Sequence, residues 1–449
     1  MSDVDLVVLG GGPAGIYAAF RACDLGAEVA LVEPEGLGGT CLLRGCVPTV
    51  AALEQARRAR DTAMRSGRLS EIDWTAWAAG RDNLTERVQR GLERAVATSR
   101  IRRLRGRGRL VGPGVVQVAE DSQRHETVST KAVVLATGSR LTLPPIPGID
   151  APGVWTTDHA LGMQDLPERV AVLGSSFIAV EWAQFFRSLG TAVVLVAGAP
   201  TLLPGEDAVV QEAVATLLAE QGVDVRLGWQ PARIRTEGHG LVLEGPTESV
   251  TAERLVVGDG RRPAGDDWAY AGIRVRADGS VPTDPFLRTD RADVWAAGDL
   301  VGGRMLANWA RAEGEAAAEA ALGTGGPFDG TAVPRVYHLE PEVAAVGLSE
   351  SEAREAGHDP VVGVADLGQN PRALMMGQER GFVKLVASRR SGRLLGAHLV
   401  GPGASEAVGE VALALRLEAL AEDLAAVVRG HPTVFEAIGE AAREVVRAL

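Results

Sequence analysis

Two cysteines, Cys41 and Cys46, stand close together in the segment GGTCLLRGCVPTV. Their spacing allows both sulfurs to lie on one face of a helical turn, within disulfide reach. A zinc site is the alternative, but zinc prefers four ligands, and no further cysteine or paired histidine stands nearby. The pair is therefore predicted to be a redox-active disulfide. The third cysteine, Cys23, shares a helical stripe with Ile16 and Phe20 and is predicted to be a buried thiol.

Exchange at a disulfide needs a thiolate and a group that manages its proton. His431 is the candidate acid and base. It precedes Pro432, and proline favours the first position of a helix, so His431 is predicted to lie at a helix N-terminus. Glu436 would then lie about one and a half turns into that helix and could orient the imidazole. The alternative is a helix-capping histidine with no chemical role.

A dinucleotide-binding motif begins the chain. The apolar run 6–9 predicts a buried parallel strand, and the sequence GGGPAG and a helical pattern follow it. Gly10 permits a tight turn, Gly12 lets the backbone approach a pyrophosphate, and Gly15 lets helix and strand pack closely. Glu33 ends the next strand, where it can accept hydrogen bonds from ribose hydroxyls.

A second such motif starts with the strand 170–173 and the turn beginning at Gly174. A helix with an apolar face follows, and then the strand 192–196. Two motifs in one chain suggest two dinucleotides, one held tightly and one exchanging. Ser176 replaces the middle glycine, so a doubly wound domain without a nucleotide stays open as an alternative for this second motif.

The remaining pattern predicts a helical stretch over about 50–99, strands over 101–118 and 132–138, and a Pro-rich linker over 143–148. The segment 294–299 is predicted to be a strand that ends in Gly-Asp at another turn. From about residue 333 alternating strands precede helices that start near Ala404. This change indicates a separate interface domain.

Composition narrows the function classes. The 449 residues carry a formal net charge of −12, which disfavours nucleic acid and anionic membranes as partners. The basic run 102–109 is short and is read as a solvated strand edge. Without a visible secretory signal or an apolar run of about 20 residues, a cytoplasmic protein is expected.

Five motifs together resemble one family: GGGPAG with Glu33, GGTCLLRGCVPT, ATGS, the AAGD turn at 296–299, and HPTVFEA. They are similar to those of the class I pyridine nucleotide–disulfide oxidoreductases, above all dihydrolipoamide dehydrogenase, with glutathione reductase and mercuric reductase as relatives. The likeness runs from Val4 to about Ala442, in the family's order.

The resemblance implies an α/β fold with two Rossmann-like domains, for FAD and NAD(P), and a C-terminal α+β dimerisation domain. The expected boundaries are 1–149 with 265–328 for FAD, 150–264 for NAD(P), and 329–449 for the interface. A homodimer is expected, and no metal.

The resemblance also implies roles. Cys46 would form the charge-transfer contact with the flavin, and Cys41 would exchange with the substrate disulfide. His431, held by Glu436, would come from the other subunit as acid and base. Phe177 would gate the nicotinamide pocket, with the Glu181 carboxylate near flavin and nicotinamide. The expected cofactor-binding residues are Gly10, Gly12, Pro13, Ala14, Gly15, Glu33, Gly39, Thr40, Ala136, Thr137, Gly138, Asp299, Met305, Leu306 and Ala307, and, in or beside the second motif, Gly174, Ser176, Phe177, Ile178, Glu181 and Gly260.

The sequence departs from the family at two places. Val50 stands where the family has a lysine that pairs with the carboxylate equivalent to Glu181. After the strand 192–196, residues 197–199 are Ala-Gly-Ala, where an acid usually selects NAD and basic residues select NADP. NADP is therefore disfavoured, and NAD affinity is expected to be weak.

The leading hypothesis is dihydrolipoyl dehydrogenase-type activity, in which a dihydrolipoyl group reduces the disulfide, then FAD, then NAD. The alternatives are an NAD(P)H-dependent reductase of another small disulfide, a quinone reductase or diaphorase, and a non-catalytic flavoprotein sensor or scaffold. No cysteine follows Cys46, which argues against mercuric reductases and large thioredoxin reductases.

Overall fold

A computed structural model describes residues 3–67, 72–120 and 124–449. The chain forms two compact units. The first comprises Met1–Ala52, Thr75–Thr142 and Gly260–Gly330, and the second comprises Leu53–Trp74, Leu143–Asp259 and Thr331–Leu449.

The α-helices of the described residues are α1 (Pro13–Asp24), α2 (Gly39–Leu43), α3 (Cys46–Ser66), α4 (Trp74–Thr98), α5 (Thr157–Leu161), α6 (Phe177–Ser188), α7 (Ala208–Glu220), α8 (Ala307–Ala321), α9 (Glu350–Glu355), α10 (Pro371–Met376), α11 (Ala404–Arg416), α12 (Ala421–Ala426) and α13 (Glu436–Ala448). Short 3₁₀ turns cover Gly265–Ala271, Gly298–Val301 and Leu367–Gln369. Among these described helices, none has the length and apolar character needed to cross a membrane.

The strands are β1 (Val4–Leu9), β2 (Val29–Glu33), β3 (Ile101–Arg105), β4 (Arg107–Gly112), β5 (Val115–Ala119), β6 (His125–Leu135), β7 (Ser139–Leu141), β8 (Val154–Trp155), β9 (Arg169–Leu173), β10 (Ala192–Ala197), β11 (Asp224–Leu227), β12 (Arg233–Glu237), β13 (Gly240–Glu244), β14 (Ser249–Ala252), β15 (Arg254–Val257), β16 (Arg261–Pro263), β17 (Val294–Ala296), β18 (Arg335–Tyr337), β19 (Val343–Gly347), β20 (Pro360–Asp366), β21 (Phe382–Ser388) and β22 (Leu394–Val400).

The first unit is built on a sheet in the order β3-β2-β1-β6-β5-β4, with β17 beside β6. Strand β1 runs parallel to β2 and β6, and its apolar residues are buried because helices or strands cover both faces. Helix α8 packs on α1 at very short range, since a Cβ at Gly314 would lie 2.1 Å from the carbonyl oxygen of Ala14. Only glycine permits that approach.

The second unit contains a sheet in the order β11-β10-β9-β15-β8, in which β9, β10, β11 and β15 are parallel, and an antiparallel β12-β13-β14 sheet. Its C-terminal part is an antiparallel sheet in the order β18-β19-β22-β21-β20. Helices α11 and α13 cover this sheet and share its apolar core. The fold class predicted from the sequence is confirmed, while the three-domain boundaries stay a prediction.

Candidate active site

The first glycine turn, residues 10–12, joins β1 to α1. Gly10 has φ +114°, and a Cβ there would lie 2.2 Å from the carbonyl oxygen of Ala136, so only glycine fits. Helix α1 starts with Pro13, and its N-cap residue Gly12 provides no side-chain hydrogen bond. The N–H groups that open this helix are therefore suited to a phosphate.

Glu33 ends β2 beside this turn and is buried. Its Oε2 accepts a hydrogen bond of 2.6 Å from the N–H of Gly11, and its Oε1 accepts one of 2.8 Å from the N–H of Glu35. Each carboxylate oxygen keeps acceptor capacity beyond these bonds. Glu33 thus holds the turn in shape and can still accept from a ribose hydroxyl.

The segment that carries the cysteines is attached directly to the first glycine turn. The N–H of Gly38 donates a 2.7 Å hydrogen bond to the carbonyl oxygen of Gly11. A Cβ at Gly39 would lie 2.6 Å from the Cα of Gly12, so the two backbones touch where only glycine fits. Cys41 follows two residues later, in the short helix α2. The redox pair and the dinucleotide turn are therefore fixed to each other.

The cysteines do not share one helical turn, and that part of the sequence prediction is wrong. Helix α2 ends at Leu43, Arg44 and Gly45 form a turn, and Cys46 is the first residue of α3. A Cβ at Gly45 would lie 2.9 Å from the carbonyl oxygen of Thr40, so the chain bends sharply there. The bend, rather than helical periodicity, brings the two side chains together.

Cys41 is half-buried and Cys46 is exposed. The pKa of Cys41 lies below its ordinary value, chiefly because the Cys46 side chain hydrogen-bonds to it. Burial and the charge of Asp299 act in the opposite direction. A contact between the two sulfur groups and a lowered thiol pKa are what dithiol–disulfide exchange requires.

Asp299 lies in the 3₁₀ turn after β17, where Ser139 Oγ donates a 2.5 Å hydrogen bond to its Oδ2. Arg261 Nε donates to the same Ser139 Oγ at 2.9 Å, and Arg261 Nη2 lies 3.4 Å from the hydroxyl of Thr40. This network connects the AAGD turn to the cysteine segment. Sequence reasoning recognised the ATGS motif and Gly260 but assigned no role to Ser139 or Arg261.

Glu313 on α8 is a carboxyl that sequence reasoning missed. It accepts hydrogen bonds from the N–H of Gly298 at 2.7 Å and from Trp309 Nε1 at 2.8 Å. Burial raises its pKa to about 7, against the effect of these two bonds. Glu313 therefore fixes the turn that carries Asp299.

The other predicted residues of the first unit lie in turns or at the start of α8. Thr137 Oγ1 accepts a 3.0 Å hydrogen bond from Trp268 Nε1, and Gly138 has φ +72°. Met305 has φ +46°, an uncommon value for a residue other than glycine. Leu306 is buried as the N-cap of α8, and Ala307 is the first residue of that helix. Gly260 has φ +120° at the start of the third segment of this unit.

The second glycine turn, residues 174–176, joins β9 to α6 in the second unit. Gly174 has φ +142°, and Ser176 is the N-cap of α6, with its Oγ accepting from the N–H of Ala179 at 3.4 Å. The carboxylate of Asp259 accepts hydrogen bonds from the N–H of Ser175 at 2.8 Å and of Ser176 at 3.0 Å. The turn has the nucleotide-binding form, but two of its N–H groups already hold a carboxylate.

Helix α6 presents Phe177, half-buried Ile178 and buried Glu181. The Phe177 ring stacks on Tyr337, with the ring centroids 5.5 Å apart. Glu181 Oε1 accepts a 2.9 Å hydrogen bond from the N–H of His338. Burial raises the pKa of Glu181 to about 7, although this bond and the charge of Arg57 lower it.

His431 does not lie at a helix N-terminus, which corrects the prediction from the His-Pro pair. Helix α13 begins only at Glu436, because residues 431–435 form a bend and a turn. In that turn the N–H of Thr433 donates to Glu436 Oε2 at 2.9 Å, and His431 Nδ1 lies 3.1 Å from Glu436 Oε1. The pKa of Glu436 is lowered, first by Thr433 and then by His431. The carboxylate thus orients an exposed imidazole.

The structure brings three groups of predicted residues together. In the first unit it joins the first glycine turn, the cysteine segment and Asp299. In the second it joins the second glycine turn to the start of α6, and separately pairs His431 with Glu436. In the part of the chain that the structure describes, no cluster of three or more His, Cys, Asp or Glu side chains could hold a metal ion.

Comparison with known proteins agrees with this geometry. Residues 4–314 match the family model "pyridine nucleotide-disulphide oxidoreductase", and residues 333–442 match that family's dimerisation domain. The chain is 36% identical to dihydrolipoyl dehydrogenase 2 of Haloarcula marismortui, covering 98% of this chain and 96% of that protein. It is 34% identical to dihydrolipoyl dehydrogenase of Haloferax volcanii, covering 99% and 97%.

Solved structures are similar over the whole chain. LpdA from Mycobacterium tuberculosis superposes with a TM-score of 0.90 at 26% identity, covering 99% of both chains. The HOCl-induced flavoprotein disulfide reductase RclA from Escherichia coli gives a TM-score of 0.85 at 25% identity, covering 98% of this chain and 99% of RclA. The resemblance stated from the sequence motifs is confirmed, and the chain belongs to the pyridine nucleotide-disulphide oxidoreductase family.

Proposed function

We propose that this chain is an FAD-dependent dithiol–disulfide oxidoreductase of the dihydrolipoyl dehydrogenase type, which oxidises a dihydrolipoyl group and reduces NAD+. The observation that carries the proposal is the attachment of the Cys41–Cys46 pair to the first glycine turn through Gly38 and Gly39. Relatives named dihydrolipoyl dehydrogenase align with nearly the whole chain, which supports the same activity.

The residues of the first unit fit FAD. The N–H groups that open α1 would hold its pyrophosphate, and Glu33 would accept from its adenosine ribose. Asp299 would accept hydrogen bonds from the ribityl hydroxyls. Ser139 orients its carboxylate, and Glu313 fixes the turn by accepting a hydrogen bond from the N–H of Gly298. When bound, FAD accepts an electron pair from the dithiol and passes it to NAD+ as hydride.

The cysteines carry out two exchanges when oxidised to the disulfide. One thiolate of the dihydrolipoyl group attacks the sulfur of Cys41, the Cys41–Cys46 bond breaks, and Cys46 leaves as a thiolate. The second substrate thiolate then attacks the first substrate sulfur, which releases Cys41 as a thiolate and the substrate as a cyclic disulfide. The substrate loses two electrons and two protons, and the cysteine pair gains the two electrons.

His431 is the proposed acceptor of the substrate protons, and Glu436 is its positioning residue. We propose a homodimer, supported by the dimerisation-domain match, in which His431 of one protomer serves the cysteines of the other. This arrangement would explain why a chain places the thiols near its start and the acid and base near its end.

The test is an anaerobic titration of the flavin-loaded protein with dihydrolipoamide, NADH and NADPH in turn. Dihydrolipoamide should produce a long-wavelength charge-transfer band between the Cys46 thiolate and the oxidised flavin. C41S, whose Cys46 thiol is free without any reductant, should show the band while its flavin is oxidised, and C46S should not show it. Failure of dihydrolipoamide to give the band, with rapid formation by NADH or NADPH, would favour reduction of another disulfide or a quinone. No band with any reductant would favour a redox sensor.

A further inference from the structure

The Asp259 side chain lies inside the second glycine turn. Its Oδ2 accepts from the N–H of Ser175 at 2.8 Å and its Oδ1 accepts from the N–H of Ser176 at 3.0 Å. A Cβ at Gly174 would lie 2.5 Å from Asp259 Cγ, so the carboxylate fits against the turn where only glycine leaves room. One carboxylate therefore bridges two consecutive N–H groups of the turn.

Strand register identifies the residue that corresponds to Asp259 in the first motif. The last residue of β6 pairs with Leu9, just before the first glycine turn, and the last residue of β15 pairs with Leu173, just before the second. Two residues after each strand end stand Thr137 and Asp259. The Thr137 hydroxyl accepts from Trp268. The same topological position thus holds a neutral side chain in one motif and an anion in the other.

An anion at this position competes with a dinucleotide. The N–H groups at the start of such a helix are the donors that a pyrophosphate uses, and the carboxylate takes two of them with charge-assisted bonds. A pyrophosphate would also bring negative charge next to Asp259. Within the described ranges no lysine or arginine forms an ion pair with Asp259. Ala197, which ends β10, and the following Gly198 and Ala199 add no charged group to hold the nucleotide.

We propose that Asp259 is a residue that limits nicotinamide nucleotide affinity: its carboxylate occupies the pyrophosphate donors of the second glycine turn, and the nucleotide binds by displacing it. This inference rests on the proposed use of a nicotinamide dinucleotide. The inference adds to that function a residue, Asp259, whose carboxylate competes with the nucleotide for the N–H groups of the second glycine turn.

The experiment measures nucleotide binding to the oxidised, flavin-loaded protein by isothermal titration calorimetry. Because NAD+ cannot reduce the flavin, the measured heat comes from binding and not from a redox reaction. The variants are D259N, which keeps the shape without the charge, and D259S, which matches the neutral side chains of the turn. The control is D224N, which removes the same charge from the exposed first residue of β11. The ligands are NAD+, NADP+, ADP-ribose and adenosine.

We expect D259N and D259S to bind NAD+ and ADP-ribose about fivefold more tightly than the unmodified protein, equivalent to about 1 kcal/mol. Adenosine, which has no phosphate, should bind within twofold of its original affinity, and D224N should match the unmodified protein. A gain for the phosphate-bearing ligands alone would support displacement of the carboxylate.

Unchanged or weaker NAD+ binding by both Asp259 variants would overturn the inference, and so would an equal gain for adenosine. If no protein in the set binds NAD+, NADP+ or ADP-ribose, nucleotide use itself fails and the inference fails with it. If the unmodified protein binds NAD+ and reacts with dihydrolipoamide but the variants show no gain, the proposed function stands and only the role of Asp259 is lost.

Discussion

The main-chain N–H of His338 donates a 2.9 Å hydrogen bond to the carboxyl group of Glu181. That carboxyl is buried, and burial raises its pKa from the ordinary value of 4.5 to about 7. The folded protein therefore binds a proton here that the unfolded chain has already lost between about pH 4.5 and pH 7. This carboxyl's contribution to stability decreases as pH rises through that window.

Replacing Glu181 by glutamine should remove this decrease in folding stability with rising pH. We expect the melting temperature of E181Q to rise relative to the unmodified protein as pH increases from 5 to 8, with a free-energy difference of about 3 kcal/mol at most. Glu313 has the same sign of shift and stays in both proteins, so the difference isolates Glu181. Melting curves whose separation does not change with pH would contradict the prediction.

A lysine at position 50 should change the flavin. Val50 is half-buried on α3, and the family's usual lysine would add a positive charge there. Because a cation stabilises a reduced, anionic flavin, we expect V50K to raise the two-electron midpoint potential by about 30 mV, which corresponds to about 1.4 kcal/mol. Spectroelectrochemical titration measures the potential, and stopped-flow reduction by NADH measures the hydride-transfer rate. V50M is the neutral control; identical values for both quantities in V50K would refute the expectation.

Removing the Cys46 thiol should make Cys41 less reactive. The hydrogen bond from Cys46 is the largest cause of the lowered pKa of Cys41, so that pKa should rise in C46A. In reduced C46A we expect iodoacetamide to alkylate Cys41 more slowly at pH 7 than in the reduced unmodified protein. The pH at which the alkylation rate reaches half its maximum should be higher in C46A. Buried Cys23, whose pKa burial raises, is the internal reference for an unreactive thiol. Equal pH profiles for Cys41 in the two proteins would rule out this role of Cys46.

Loss of the His431 imidazole should affect proton transfer and spare nucleotide-dependent reduction of the flavin. We expect H431Q to lower kcat for dihydrolipoamide oxidation by about 10²- to 10⁴-fold, the usual contribution of general acid–base catalysis. E436Q should cause a smaller loss and a changed pH profile, because it leaves the imidazole in place without its carboxylate. Reduction of an artificial acceptor by NADH should persist, and H239Q, at another exposed histidine, should behave as the unmodified protein. Full activity of H431Q would exclude the proposed role.

The buried ion pair between Arg335 and Glu206 should matter far more than an exposed pair. Both side chains are 2% exposed, and Arg335 Nε lies 2.6 Å from Glu206 Oε1. Removing one partner leaves an uncompensated buried charge, at a cost of about 3–5 kcal/mol, so R335M should lower the melting temperature by about 3–5 °C. R235M, which breaks an exposed pair with Glu244, should change it by about 1 °C or less. Similar shifts in the two variants would contradict this expectation.

The sequence alone predicted the features that depend on neighbouring residues. Apolar runs indicated the parallel strands, and the glycines after them indicated the turns, because positive φ and close backbone approach are properties that only glycine combines. The motif order also indicated the family. Local patterns were less informative at the cysteines, where the bend at Gly45 replaced the expected helical turn, and at His431, where the helix starts four residues later than the proline suggested.

Only the tertiary structure decided which distant side chains complete each turn. Ser139 and Arg261 reach Asp299 and Thr40 through strand pairing, and Asp259 reaches Ser175 from 84 residues away because β15 lies next to β9. A sequence reports periodicity and turn chemistry along the chain, whereas these hydrogen bonds depend on strand order and register in a folded sheet. For that reason the nucleotide motifs were readable from the sequence, and the carboxylate inside the second one was not.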